Sequence, residues 1–233
     1  MEKINYRPEE VVWEITFACN MRCIHCGTAA GKKRADELTT QEALDLIDEL
    51  TGLGAKHITL SGGEPLMRKD WPLLAERIIK DGARAAMITN GMLVTKEVVD
   101  EFVRLGFDSV GVSFDGTEKT HNYIRQRNDS YERAYEALKL LNGRVKACAI
   151  TQVSNINLGE LYDIRKLLID AGSPVWRIQM TTSTGRMKEH QNSILTLNNY
   201  PAFIDTIIDM RKKGEIEIDV GENIGYYGCK GAE

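Results

Sequence analysis

The sequence predicts an α/β fold of parallel strands joined by helical crossovers, and three observations carry that expectation. Strand-like and helix-like periodicities alternate six times along the chain. A glycine-rich or polar cluster follows each strand-like run, at the end where parallel α/β folds gather their ligand-binding groups. At 233 residues, with 42% hydrophobic and 27% charged content, the chain can bury a substantial core, and no break in composition marks an internal domain boundary.

The first apolar run, residues 11–17, leads directly into Cys19. A helical pattern over 41–53 follows, with Thr39 and Glu42 at capping-box spacing and Gly54 as its stop. The second strand, 56–60, runs into Ser61-Gly62-Gly63-Glu64-Pro65 and then a helix over 71–81. The third, 84–89, meets Asn90-Gly91 before a helix over 96–105 that Gly106 ends. The fourth, 109–114, enters Asp115-Gly116, and the next helical pattern begins only at 131 and reaches 141. The fifth, 145–151, gives way to Ser154-Asn155 and a helix over 158–171. Asn157 and Glu160 have capping-box spacing there, Leu161, Ile164, Leu168 and Ala171 form a core stripe, and Gly172 is the stop. The sixth, 175–180, continues into Thr181-Thr182, and Pro201 suits the start of a last helix over 202–213. Strand-helix units in series imply right-handed crossovers, hence a barrel, a partial barrel or a doubly wound sheet.

A net charge of -4 without a dense Lys/Arg stripe gives no electrostatic reason to bind nucleic acid. The N-terminus lacks an apolar signal core and no run of eighteen apolar residues occurs, so the expectation is a cytoplasmic protein with no membrane partner. In a reducing compartment the five cysteines read as metal ligands or buried thiols.

Three of them, Cys19, Cys23 and Cys26, sit in the run Cys19-Asn20-Met21-Arg22-Cys23-Ile24-His25-Cys26. Soft sulfur ligands in one short loop suit an iron-sulfur cluster, and with no fourth cysteine nearby one iron would stay open to a non-protein ligand. Zinc is the alternative, since His25 completes a nominal Cys3His set, although adjacent side chains such as His25 and Cys26 converge poorly on one tetrahedral ion. Gly62 and Gly63 let backbone approach a ligand, and Glu64 can accept hydrogen bonds from an ammonium group; a glycine turn with a solvated glutamate is the plainer reading.

Taken together, the cysteine spacing, the Gly62-Gly63-Glu64-Pro65 cluster and the six-fold alternation resemble the radical S-adenosylmethionine superfamily over about residues 8–213. The resemblance implies a partial (β/α)6 TIM-like barrel over residues 1–220, holding a 4Fe-4S cluster through Cys19, Cys23 and Cys26. The open iron would be chelated by the amino and carboxylate groups of S-adenosylmethionine. By the same resemblance Gly62, Gly63 and Glu64 meet the methionine amino group, and His25 takes the slot near the adenine where most relatives carry Tyr, Phe or Trp. Ser113 resembles a ribose or carboxylate contact, and Asn90 belongs to the cofactor's surroundings. Arg125 is a candidate partner of the methionine carboxylate, with an exposed, solvated arginine as the alternative. Asn155 and Gln179 read as pocket residues or as strand-end hydrogen bonds.

The implied reaction is one-electron cleavage of S-adenosylmethionine to methionine and a 5'-deoxyadenosyl radical that takes a hydrogen atom from substrate. The electron would come from a donor such as flavodoxin or ferredoxin. Homolytic abstraction needs no Ser-His-Asp set or carboxylate pair, so no protein side chain is assigned a catalytic role; His57, His121 and His190 read as surface or structural.

Val112-Ser113-Phe114-Asp115-Gly116 with His121 and Arg125, together with Trp176-Arg177-Ile178-Gln179 and Gly185-Arg186, resembles the peptide-maturase branch that carries a SPASM or twitch extension with auxiliary clusters. Cys229, in Tyr226-Tyr227-Gly228-Cys229-Lys230-Gly231, looks like the first cysteine of such an extension, which makes 221–233 the start of a truncated one. Cys148 reads as a small apolar strand residue. The expected substrate is a peptide or protein. A cofactor-biosynthesis enzyme acting on a small metabolite is the second enzyme reading, and an iron-sulfur electron carrier or redox sensor is the non-enzyme one.

Overall fold

Seven strands form one parallel sheet in the computed structural model, which describes residues 7–221 and residue 224. Six match the expected runs: β1 (Glu10–Thr16), β2 (His57–Gly62), β3 (Arg84–Thr89), β4 (Ser109–Ser113), β5 (Lys146–Val153) and β6 (Val175–Met180). The seventh, β7 (Glu217–Val220), pairs with β6 and was not among them. Strand order follows chain order from β1 to β7, so each crossover advances the sheet by one strand. Among the described residues β1 and β7 do not pair, and the barrel stays open on that side.

The helices α1 (Thr40–Gly52), α2 (Trp71–Lys80), α3 (Lys96–Leu105), α4 (Glu118–Arg125), α5 (Ser130–Leu141), α6 (Leu161–Asp170) and α7 (Tyr200–Lys213) cover the sheet. The capping box at Thr39 and Glu42 forms in full. The one expected at Asn157 and Glu160 does not. The Asn157 Oδ1 accepts instead from Ser154 N and its Nδ2 donates to the carbonyls of Asp115 and Gln152, while Glu160 accepts from Thr117 N and Thr120 Oγ1. Helix α4 also escaped the sequence reading, because its composition is polar and its buried residues are His121, Ile124 and Arg125.

Packing follows from the two periodicities. Strand β5 alternates, burying Ala147, Ala149, Thr151 and Val153. Helix α6 buries the expected stripe of Leu161, Ile164 and Leu168, with Ala171 just beyond its end. Trp71, Phe102 and Phe107 cluster between helices with ring centroids 4.8 to 5.9 Å apart. Trp176 is fully buried on β6, and its indole donates to Thr151 Oγ1 at 2.8 Å. At the amino-terminal end of the sheet His57 reaches Glu10 and Asp108, partners the sequence did not show. Cys148 lies half-buried in β5, and burial pushes its thiol up to about 11, as befits an unreactive strand residue. Among the described residues no helix is long and apolar enough to cross a membrane. Cys229 and all but Gly221 and Ile224 of the segment 221–233 lie outside the described residues.

Candidate active site

The cysteine loop leaves the carboxyl end of β1 and is pinned at its root. Cys19 N donates to Gly31 O at 2.8 Å and Gly31 N to Phe17 O at 3.0 Å, closing the loop with a one-rung parallel bridge. Glu37 locks the same root from outside, accepting from Phe17 N, Arg34 N and Thr16 Oγ1. Within the loop, Ile24 N donates to Ile124 O of α4 at 2.9 Å.

Arg186 holds the other side. Its guanidinium donates to Cys23 O at 2.8 Å and Ala30 O at 2.9 Å, and its own amide donates to Cys26 O at 3.1 Å. Gly185 makes that approach possible: at φ +52 a Cβ there would stand 2.2 Å from Cys26 O. In the sequence Gly185-Arg186 stands out only as a family likeness, because the carbonyls the pair serves belong to a distant segment.

Beside the loop, β2 ends in the two glycines. A Cβ on Gly62 would meet Thr16 O at 2.3 Å and one on Gly63 would meet Ala18 O at 2.2 Å. The space they free is filled by the root of the cysteine loop, so close packing of β1 on β2 accounts for both. Glu64 N then donates to Ala18 O, and the Glu64 side chain is fully buried. Its carboxylate accepts from Thr89 Oγ1 at 2.7 Å, Asn90 N at 2.8 Å and Leu66 N at 3.2 Å. Burial nevertheless outweighs those three donors and raises its pKa to about 7. A solvated glutamate in a turn is thereby ruled out.

Asn90 links this carboxylate to the loop. Its amide nitrogen donates to Asn20 Oδ1 at 2.7 Å and lies 4.0 Å from Cys19 Sγ. Glu64, Asn90 and Cys19 are thus one connected set, brought together from β2, β3 and β1. Ser113 is half-buried at the end of β4, and Gln179 is half-buried near the end of β6. Asn155 instead ties loops together, donating to Ile194 O at 2.8 Å and accepting from Asn199 Nδ2 at 2.9 Å.

Under the loop lies a charged cluster that the sequence did not reveal. Asp115, completely buried after β4, accepts from Arg125 Nε at 2.6 Å and faces His25 Nε2 at 3.0 Å. Burial opposes its ionisation, yet the charge of Arg125 and the contact with His25 win and hold its pKa below the ordinary carboxylate range. Arg125 is itself buried, not solvated, and its Nη1 lies 3.8 Å from Cys23 Sγ. His121, expected to be surface or structural, is fully buried: its Nδ1 accepts from Asp115 N, and burial, then Arg125, pushes its pKa down to about 3. The signal for Asp115 was its place beside His121 and Arg125 in one motif; its partners became visible only in three dimensions.

The donor set fits a four-iron cluster better than a single zinc ion. Among the described residues no three His, Cys, Asp or Glu side chains converge on a single-ion position, and His25 turns away to Asp115. In a cubane each thiolate binds its own iron, which asks for thiols spread over one face. All three are free thiols, and two have N–H donors directed at sulfur, from Asn90 and Arg125. Burial, with smaller contributions from neighbouring thiols, raises the pKa of Cys19 and Cys23, so ionising them calls for the positive charge that iron supplies. A cavity of about 540 Å3 opens beside the loop, lined by Cys19, Asn20, Arg22, Gln126, Arg186 and His190.

Residues 13–168 match the Radical SAM superfamily. The chain is 32% identical over 214 residues to an AdoMet-dependent heme synthase of Methanosarcina barkeri, covering 91% of this chain and 61% of that protein. It is 30% identical over 178 residues to the mycofactocin maturase MftC of Mycolicibacterium smegmatis, covering 76% of this chain and 45% of that one. A crystal structure of Streptococcus suis SuiB bound to the precursor peptide SuiA superposes with a TM-score of 0.78 at 14% identity, over 92% of this chain and 49% of that one, a likeness of fold. The chain spans between about half and three fifths of the curated relatives it matches.

Proposed function

Because the chain belongs to the radical S-adenosylmethionine superfamily, we propose that it cleaves S-adenosylmethionine reductively and abstracts a hydrogen atom from a peptide or protein substrate. The observation that carries the first half is the connected set Glu64, Asn90 and Cys19. It puts a buried acceptor suited to an ammonium group one residue's reach from a cluster ligand. Cys19, Cys23 and Cys26 would hold the 4Fe-4S cluster, which when bound supplies the electron for the cleavage. Glu64 then binds and orients the methionine amino group, its carboxylate kept in place by Thr89 Oγ1 and Asn90 N. Ser113, half-buried at the end of β4, is available to a polar group of the same ligand.

The opening between β1 and β7 supports an extended substrate, and similarity to the mycofactocin maturase supports a peptide. A small-molecule reading is favoured by a different observation, the 32% identity to a heme synthase over 91% of the chain. The test is anaerobic reconstitution with iron and sulfide, followed by quantification of 5'-deoxyadenosine under a low-potential reductant. The wild type should release it, and Glu64→Ala should weaken S-adenosylmethionine binding at least tenfold, ~1.4 kcal/mol for the loss of a charge-assisted contact. No 5'-deoxyadenosine from cluster-loaded wild type would sink the proposal. A porphyrin that binds with a shifted Soret band and stimulates 5'-deoxyadenosine release would decide for the small molecule.

A further inference from the structure

The pocket chemistry uses Glu64 and the three cysteines, yet the site also buries an ion pair, Asp115 and Arg125, to which that chemistry gives no part. Asp115 is anchored on every side. Its Oδ2 takes Arg125 Nε at 2.6 Å and Nη2 at 2.5 Å and faces His25 Nε2 at 3.0 Å, while Oδ1 accepts from Gln152 N at 2.9 Å. Its backbone N–H donates to His121 Nδ1, and its carbonyl accepts from the Asn157 amide. The third arm of Arg125 points at Cys23 Sγ.

A guanidinium buried against a ligating thiolate has a definite electrostatic effect. Reduction adds one electron to the cluster, with no proton or ligand lost, so a cation alongside favours the reduced form and makes the cluster a weaker reductant. Breaking a sulfonium carbon-sulfur bond by electron transfer asks for the opposite. A carboxylate in direct contact with that guanidinium cancels most of its field at the cluster while leaving the N–H donor aimed at sulfur.

We propose that Asp115 is a positioning residue that keeps the cluster potential low, by neutralising Arg125 beside Cys23 and by fixing His25 and Arg125 on one carboxylate oxygen. This rests on the proposed function above, because it presupposes a cluster at Cys19, Cys23 and Cys26. It requires no contact between Asp115 and substrate.

The test is a redox titration of the reconstituted protein, following the reduced cluster by electron paramagnetic resonance with dithionite or photoreduced deazaflavin as donor. Asp115→Asn keeps the side chain's shape and removes its charge; the ratio of reduced to oxidised cluster at a fixed potential should rise at least tenfold, a positive shift of ~59 mV or more for one electron. Arg125→Met should move the midpoint the other way. A purely structural role predicts lost iron content with both variants displaced in the same direction, or neither displaced. An unchanged or more negative midpoint in Asp115→Asn overturns the proposal. If either single variant fails to retain iron, the double variant Asp115→Asn/Arg125→Met, which buries no uncompensated charge, carries the test: its ratio should stay within about threefold of wild type, and a tenfold change in either direction overturns the proposal. Wild type that forms no cluster sinks this proposal and the proposed function together, whereas wild type that cleaves S-adenosylmethionine with no shift in the variants sinks this one alone.

Discussion

Glu64 shows how burial couples one carboxylate's proton to the stability of the fold. Its pKa of about 7 lies above the ordinary value of 4.5, because burial outweighs the hydrogen bonds from Asn90, Thr89 and Leu66. The folded protein therefore holds a proton there that the unfolded chain has already released, and stability falls as pH rises from about 4.5 to about 7, then levels off. Two and a half pH units correspond to about 3 kcal/mol. In urea unfolding of the metal-free protein, Glu64→Gln should lose that slope relative to wild type, although the amide accepts fewer of the three donors and lowers stability at acid pH. An ammonium ligand reverses the balance by favouring the ionised form. S-adenosylmethionine affinity should accordingly rise with pH up to about 7 in wild type and stay flat in Glu64→Gln, as isothermal titration at several pH values would read. The cysteine spacing and the Gly62-Gly63-Glu64 cluster were legible because each is contiguous in sequence. Asp115 was not legible as a site residue, since His25, Arg125 and Gln152 converge on it from the loop, α4 and β5.

Between residues and the whole lies the cysteine loop, an element defined by what presses on it. Gly63 permits the loop root to touch β2, with only 2.2 Å between its missing Cβ and Ala18 O, and that backbone has no freedom to retreat from the Cys19 bridge. Gly63→Ala should therefore cost roughly 1–3 kcal/mol of overpacking and reduce iron retained after reconstitution. Gly52→Ala is the matched control: it closes α1, its Cβ would meet nothing within 4 Å, and it should gain roughly 0.5–1 kcal/mol. Melting temperature and iron per chain measure both. Regular elements were read well where periodicity was local, as in α3 at Lys96–Leu105 or β3 at Arg84–Thr89. Helix α4 lacked an apolar stripe because its inner face carries His121 and Arg125, which are buried for their polar partners. Asn157 misled as a cap because its Oδ1, the atom that would cap, already accepts from Ser154 N and Oγ. Short β7 offered only four residues against which to read a period of two.

At the scale of the molecule, the open sheet is held at its carboxyl-terminal end by the same loop that carries the cysteines. That loop is tied to α4 through Ile124, to the segment after β6 through Arg186, to the end of β2 through the Ala18 carbonyl, and to Asp115 through His25. Elements from the first strand to the sixth thus meet around three buried or half-buried thiols, of which burial makes Cys19 and Cys23 costly to ionise without metal. Anything that binds this folded arrangement and not the unfolded chain stabilises the whole by mass action. Anaerobic reconstitution should therefore raise the melting temperature of the entire cooperative transition, and removal of iron by a chelator should return it to the metal-free value. Arg186→Ala removes the clasp on the Cys23 and Ala30 carbonyls without touching a ligand. It should narrow the gap between metal-loaded and metal-free melting temperatures, because part of the binding free energy would go into ordering the loop. Differential scanning calorimetry of both forms measures that gap, and an undiminished one in Arg186→Ala would show that the loop is organised by the cluster alone.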